Sequence, residues 1–313
     1  MRIISVCLNP TIDITSDTDL VFPVSKVRTR EQRISPGGGG VNVARVLSSF
    51  GVTCELVYFS GGATGRVLDS ELQQLGINTR CFRNETPTRI AFTVRQTSNQ
   101  QEYRFVPEGP LVSENAYEQL MKYLASVPLT EGDYMIASGS LPRGVPDDTY
   151  SRMNEYANRC GARFVLDSSG AGLENALSGE HPVFLIKPSH NELRRLAGKA
   201  LDEQQTQQFA QHLVAENRAE HVAVSLGSHG AFLVSKGHTV RLPAYLVNVQ
   251  SAVGAGDSFV GAMVYALING HPLDEAFRYG LAGGAAAVMT AGDRLCQPAD
   301  VKRLFRQKHH AAA

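Results

Sequence analysis

The chain has 313 residues, 43% of them hydrophobic and 19% charged, which allows one large α/β domain or two ordinary ones. Thirty Lys and Arg balance thirty Asp and Glu, which excludes the basic footprint of a nucleic-acid or anionic-membrane binder, so an anionic ligand has to be held by a local cluster. No apolar run reaches transmembrane length and no signal peptide precedes the first strand-like residues, while the five cysteines (Cys7, Cys54, Cys81, Cys160, Cys296) form no CxxC pair; a cytoplasmic protein of a reducing compartment is expected.

Residues 3–8 read as a buried strand ending in the polar run Asn9-Pro10-Thr11-Ile12-Asp13. Two roles are open to Asp13, just past that strand: binding a sugar hydroxyl or stabilising a turn. Residues 15–34 alternate weakly, are rich in β-branched residues and carry Lys26, Arg28, Arg30 and Arg33. They read as strands of a small sheet with a basic edge. Pro36-Gly37-Gly38-Gly39-Gly40 then enters a helical pattern at once. Such glycines let the backbone approach a ligand, and Asn42 in the first turn is placed to hydrogen-bond it; a plain loop-to-helix joint is the alternative. Residues 52–59 form a further strand, followed by Gly61-Gly62-Ala63-Thr64-Gly65 and a helix ending near Gly76. Residues 88–94 and 102–106 read as two strands that complete the small sheet. Arg89 and Arg104 sit there among apolar neighbours and, with Lys26, suit desolvated phosphate contacts.

From Ser113 the pattern becomes regular βα repetition. Strands at 134–137, 164–166, 184–186 and 222–225 run into Ser138-Gly139-Ser140, Asp167-Ser168-Ser169-Gly170, Lys187-Pro188-Ser189-His190-Asn191-Glu192 and Leu226-Gly227-Ser228-His229-Gly230. Small and polar residues after apolar strands are how a doubly wound parallel sheet builds a site at its carboxyl ends. Helices over 257–269, 273–290 and 298–306 follow, and the terminal pair His309-His310 carries no metal signal.

One stretch organises the rest: Ser251-Ala252-Val253-Gly254-Ala255-Gly256-Asp257-Ser258, leading into the apolar run 259–267. A Gly-rich turn opening a helix leaves the first backbone N–H groups unpaired, so Gly254, Ala255 and Gly256 make an anion hole suited to a transferred phosphoryl group. A carboxylate at the mouth of that hole repels the anion. Asp257 therefore makes sense as a base that takes a proton from an attacking hydroxyl; the alternative is an N-cap. The sequence has no GxxxxGK[ST] loop and no GxGxxGxV loop. If ATP is used, Gly227-x-x-Gly230 and the glycines before Asp257 are the phosphate-cradling grammar.

Gly-Gly-Gly-Gly-Val-Asn-Val-Ala-Arg at 37–45 and Val-Gly-Ala-Gly-Asp-Ser at 253–258 resemble the two signatures of the PfkB (ribokinase-like) carbohydrate kinases, and the resemblance runs from Ile3 to about Phe305. The fourfold glycine, residues 61–65, Tyr103-Arg104-Phe105-Val106, residues 138–142 and Arg294-Leu295-Cys296 look like the family's 6-phosphofructokinase branch. Gly39 stands where the 1-phosphofructokinases and tagatose-6-phosphate kinases usually carry Lys. The resemblance implies a single ribokinase-like α/β domain over 1–313, with a mostly parallel doubly wound sheet flanked by helices. A small β lid from about 14–35 and 88–106 would exclude water and form a homodimer interface. The implied reaction is ATP·Mg²⁺-dependent phosphorylation of fructose 6-phosphate at its C1 hydroxyl, a step of glycolysis. Tagatose-6-phosphate kinase and 1-phosphofructokinase are the alternatives within the class, and a non-catalytic sugar-phosphate sensor is the alternative outside it.

The same resemblance makes Asp257 the base beside the Gly254–Ala255–Gly256 hole. It gives sugar binding to Asp13, Gly38, Gly39 and Asn42 with Ser138 nearby, and the sugar's phosphate to Lys26, Arg89 and Arg104. The nucleotide side falls to Lys187, Ser225, Gly227 and Gly230, Mg²⁺ (through water) to Glu192, and a monovalent cation such as K⁺ to the vicinity of Ser251, Val253 and Arg294. Two positions depart from the family pattern. Ser189 replaces the Asn of Asn-x-x-Glu, with a shorter reach toward a metal-bound water, and Ala252 stands where Thr is common.

Overall fold

Strand β1 (Ile3–Cys7) is buried along its length, and its side chains alternate between two apolar cores: Ile3 and Cys7 in one, Ile4 and Val6 in the other. A strand apolar on both faces belongs inside a sheet covered by helices on both sides. It has that place in the computed structural model, which describes residues 1–290 and 294–307; the expectation for His309-His310 lies outside the described residues.

The chain continues through β2 (Thr11–Thr18), β3 (Arg30–Gly37), α1 (Gly39–Ser49), β4 (Glu55–Gly61), α2 (Gly62–Gln74), β5 (Asn78–Asn84), β6 (Arg89–Gln96) and β7 (Gln101–Phe105). Next come α3 (Glu114–Ser126), β8 (Tyr134–Ser138), α4 (Thr149–Arg159), β9 (Arg163–Asp167), α5 (Ala171–Leu177), β10 (Val183–Ile186), α6 (His190–Leu196), α7 (Glu203–Ala215) and β11 (Ala219–Ser225). The hairpin β12 (Ala231–Ser235) and β13 (His238–Leu242) precedes α8 (Ala255–Ile268), α9 (Leu273–Val288) and α10 (Pro298–Arg306).

Nine strands form one sheet in the order β13-β12-β11-β10-β9-β8-β1-β4-β5, parallel from β11 to β5 and antiparallel at the β12–β13 edge. Residues of α1, α2, α8, α9 and α10 build the core on one face, and those of α3 to α7 build the core on the other. A separate four-stranded sheet has the order β3-β2-β6-β7. Its centre is a parallel β2–β6 pair in which Asp17 lies opposite Arg95, and the two side chains form a largely buried ion pair at 2.6 Å.

The mostly parallel sheet flanked by helices, with a separate small sheet, agrees with the expected fold class. Three local expectations are corrected. Asp13 lies inside β2, not in a loop, because β2 starts at Thr11 to pair with Arg89 and Gly37. Residues 19–29 are an irregular, mostly exposed connection and not a strand, so Lys26 is not on the sheet. Strand β5 and the β12–β13 hairpin had no sequence assignment; β5 is largely polar and exposed, and takes its conformation from pairing along β4.

Candidate active site

The parallel strands β1, β8, β9, β10 and β11 end at Cys7, Ser138, Asp167, Ile186 and Ser225, and helices α1 and α8 begin beside those ends. Open parallel sheets place their ligands there. Helix α8 starts from Gly254, whose backbone is left-handed at φ 72° and ψ 3°. A Cβ at that position would also lie 2.6 Å from Leu295 Cδ2, so both conformation and space call for glycine. The first backbone N–H groups of α8 face out of the helix without a partner inside it.

Asp257 is the third residue of α8 and not its N-cap, which is Gly254 without a side-chain bond. The N-cap alternative is thereby excluded. Its Oδ2 instead accepts a hydrogen bond of 2.8 Å from Asn42 Nδ2 on the first turn of α1. Asn42 Oδ1 in turn accepts from Arg45 Nη1 at 3.1 Å, and the same nitrogen donates to the Pro36 carbonyl at 2.8 Å. Burial raises the Asp257 carboxyl above the ordinary range, against the Asn42 bond and the charges of Lys187, Arg104 and Arg45. Asp13 is raised by burial in the same way, opposed by Arg104, Arg45 and Arg89, and Asp257 is among the charges acting on it.

The glycine run lies against the strand ends. A Cβ on Gly39 would come within 2.3 Å of Ser138 Oγ and 2.9 Å of the Gly139 nitrogen, and one on Gly38 within 2.9 Å of Cys7 Sγ. Only bare backbone fits between α1 and the tip of β8. Of the residues expected on the sugar side, Asn42 bonds Asp257, the Asp257 charge reaches Asp13, and Gly39 lies against Ser138.

On the nucleotide side, Lys187 is buried with Nζ 3.2 Å from Asp167 Oδ1. A Cβ on Gly256 would lie 3.4 Å from that Nζ and 3.9 Å from Asp167 Oδ2, so the pair sits directly beneath the head of α8. Burial pushes the Asp167 carboxyl up to about 7, with Asp257 and Glu192 adding to the shift and Lys187 opposing it. For Lys187, burial disfavours the ammonium, but Asp167, Glu192 and Asp257 outweigh it and its pKa is raised. Ser225 donates its N–H to the Pro188 carbonyl at 3.2 Å, and Gly227 and Gly230 frame a short 3₁₀ turn.

Ser189 behaves differently from the expectation. It is the N-cap of α6 in a capping box: its hydroxyl and N–H donate to Glu192 Oε2 at 2.8 and 2.7 Å. The hydroxyl that was to reach a metal-bound water is bonded to Glu192 itself. Among the described residues no group of three or more His, Cys, Asp or Glu is arranged to hold a metal ion.

The basic residues are less concentrated than the sequence suggested. Lys26 is exposed in the 19–29 connection. The Arg89 guanidinium donates to the carbonyls of Asn9 at 2.9 Å, Pro107 at 3.0 Å and Pro10 at 3.4 Å, bracing the β1–β2 turn. Arg104 on β7 is exposed, with its charge acting on both Asp13 and Asp257. At the loop before α8, Ser251 Oγ donates to Glu102 Oε2 at 3.0 Å and accepts from the Val253 N–H at 3.2 Å, while Arg294 is exposed. Two residues of the cluster went unnoticed in the sequence. Asp167 carried a signal, a carboxylate at a strand's carboxyl end; Arg45 closes the glycine signature but was given no role.

Fold and site together define a ribokinase-like phosphotransferase with a hydroxyl acceptor. The chain belongs to the pfkB family of carbohydrate kinases, whose family model matches residues 6–300. It is 38% identical over 305 residues to the ATP-dependent 6-phosphofructokinase isozyme 2 of Mycobacterium tuberculosis, covering 97% of this chain and 89% of the relative. It is 32% identical over 294 residues to the 1-phosphofructokinase of Bacillus subtilis, covering 92% and 93%. Phosphofructokinase-2 from Escherichia coli, solved in complex with potassium, superposes with a TM-score of 0.91 at 33% identity over 97% of this chain and 98% of that one. The same enzyme in a tetrameric inhibited form gives 0.90 at 32% identity over the same shares.

Proposed function

We propose that this ATP-dependent phosphosugar kinase transfers the γ-phosphoryl group of ATP to the C1 hydroxyl of fructose 6-phosphate. The observation that carries the reading is the Asp257 carboxylate beside the open amides of α8, with one oxygen held by Asn42. Asp257 takes the proton of the acceptor hydroxyl as its oxygen bonds to phosphorus and the bond to ADP breaks. The backbone N–H groups of Gly254, Ala255 and Gly256, with the Lys187 ammonium beneath them, meet the negative charge that develops on the phosphoryl oxygens. Asp13, Asn42 and Ser138 hold sugar hydroxyls against the bare backbone of Gly38 and Gly39. Ser225, Gly227 and Gly230 carry the nucleotide. Arg104 is the first partner for the sugar's own phosphate, with Arg89 adding charge from its brace; Lys26 joins once the 19–29 connection folds over the bound sugar.

Glu192 and Asp167 are hard oxygen donors held near Asp257, and their mutual repulsion appears in the raised Asp167 carboxyl. That set fits Mg²⁺, which binds through one or two carboxylates together with substrate phosphates and waters. Mg²⁺ held there supplies neutralisation of the phosphate charge. A monovalent cation such as K⁺ is assigned to the carbonyls of the 251–253 loop, in line with the potassium complex of the Escherichia coli relative.

The four-stranded sheet acts as the lid, and a second copy of the chain covers its outer row. Ile34, Ile14, Phe92 and Phe105 lie in register across it, and Ile34, Phe92 and Phe105 are 44%, 45% and 60% exposed. A contiguous apolar row of that kind favours a homodimer. All five cysteines are free, which suits the cytoplasm, and among the described residues no helix is long and apolar enough to cross a membrane.

A coupled ADP-release assay against fructose 6-phosphate, tagatose 6-phosphate, fructose 1-phosphate and fructose tests the reading. Preference for fructose 6-phosphate supports it. Preference for fructose 1-phosphate, which the 32% relative named 1-phosphofructokinase makes a real competitor, changes the acceptor and keeps the chemistry. Silence on all four overturns the fructose 6-phosphate reading and moves an untested sugar or a sensor to the front.

A further inference from the structure

We infer that Arg45 is a positioning residue, which fixes the amide of Asn42 so that its N–H, and not its oxygen, faces Asp257. The inference rests on Asp257 being the base and goes beyond it by assigning what holds that base in place. A carboxylate can only accept a hydrogen bond and a guanidinium can only donate one, whereas a primary amide has one end of each kind. Asn42 lies between the two, with Nδ2 2.8 Å from Asp257 Oδ2 and Oδ1 3.1 Å from Arg45 Nη1. Only one orientation satisfies both neighbours. The flipped amide would set an oxygen against the Asp257 carboxylate and an NH₂ against the guanidinium, two repulsive contacts around a 7% exposed side chain.

Arg45 is itself anchored, because Nη1 also donates to the Pro36 carbonyl at the end of β3. The line Pro36–Arg45–Asn42–Asp257 therefore joins the glycine turn, α1 and the head of α8 across 215 residues of sequence between Asn42 and Asp257. Other charged groups reach Asp257 from Lys187 on the β10 side and Arg104 on β7, and from Asp167 on β9 and Asp13 on β2. None of these acts through the amide of Asn42. Removing Arg45 leaves the carboxylate present but releases its partner to rotate, and a misplaced base costs rate and not substrate affinity.

The test is a set of steady-state measurements on Arg45→Met, Arg45→Lys, Asn42→Ala, the Arg45→Met/Asn42→Ala double variant and Asp257→Asn. Arg45→Met is expected to lower kcat by about 100-fold with KM for ATP nearly unchanged, and KM for the sugar is expected to rise by much less than kcat falls, since Asn42 also faces the sugar. Lys keeps one donor, so Arg45→Lys is expected to recover about tenfold of that loss. In the Asn42→Ala background Arg45→Met is expected to cost far less than it does alone, because only the direct action of its charge on Asp257 and Asp13 is left to lose. The inference is overturned if Arg45→Met turns over like the wild type, if its loss lies in KM, or if it adds in full to Asn42→Ala. Should Arg45→Met fail to fold in a thermal melt, Arg45→Lys and Arg45→Gln with and without Asn42→Ala decide the same question. An active Asp257→Asn protein would instead bring down the base assignment, whereas an inactive one with a normal Arg45→Met confines the failure to this inference.

Discussion

Asp257 works at a position that costs the fold something. Its carboxyl is raised by burial, so between the unfolded carboxylate value and the folded one the native state binds more protons than the unfolded chain. Stability from this group therefore falls as pH rises through that window, and the penalty is complete once the pH is above the folded value. Asp257→Asn is expected to lower kcat by orders of magnitude while raising the melting temperature at pH 7, with the gain shrinking as pH is lowered toward 4; calorimetry beside the kinetic assay reads both. An unchanged or lower melting temperature at pH 7 would show that Asn42, Lys187, Arg104 and Arg45 compensate the burial in full. Asp257 was legible in the sequence because its signal is local, a glycine turn followed by a carboxylate. Arg45 and Asp167 were not, because what makes them matter is a partner brought from another element.

At the scale of elements, the head of α8 depends on one residue. Gly254→Ala places a side chain in the left-handed region, which costs on the order of 1–2 kcal/mol, and drives a Cβ to 2.6 Å from Leu295 Cδ2. Reduced stability together with a kcat loss is the expected outcome, and circular-dichroism melts with initial-rate kinetics check it. A variant as active and as stable as the wild type would mean that the turn relaxes without moving the amides. The helices over 257–269, 273–290 and 298–306 were legible in the sequence, whereas the Ser113 cap of α3, whose hydroxyl accepts from the Ala116 N–H, was shown by the structure. Strand β5 was not, since its burial pattern is mostly exposed and only pairing with β4 makes it a strand.

For the molecule as a whole, the small sheet carries the proposed dimer contact. Phe92 lies in the middle of the exposed apolar row, so Phe92→Asp is expected to shift the protein from dimer toward monomer in sedimentation velocity without unfolding the nine-stranded sheet. A wild-type protein that sediments as a monomer would remove the dimer proposal. The small sheet also touches the loop before α8, through Ser251 Oγ and Glu102 Oε2 at 3.0 Å. A disturbance of the sheet is thus expected to reach kcat as well as assembly.

The sequence by itself determined the doubly wound class, the two glycine turns and the carboxylate that follows the second, because apolar runs, turn glycines and helix starts are written in neighbouring residues. It also placed Asp13, Asn42, Ser138 and Lys187 among the candidates, each next to a strand end or in a helix's first turn. Only the tertiary structure decided that Arg89 braces three backbone carbonyls and that Arg45 reaches Asp257 through Asn42. Each of those side chains had several possible hydrogen-bond partners. The choice among them depended on distances between elements far apart along the chain, which the packing of sheet and helices alone sets.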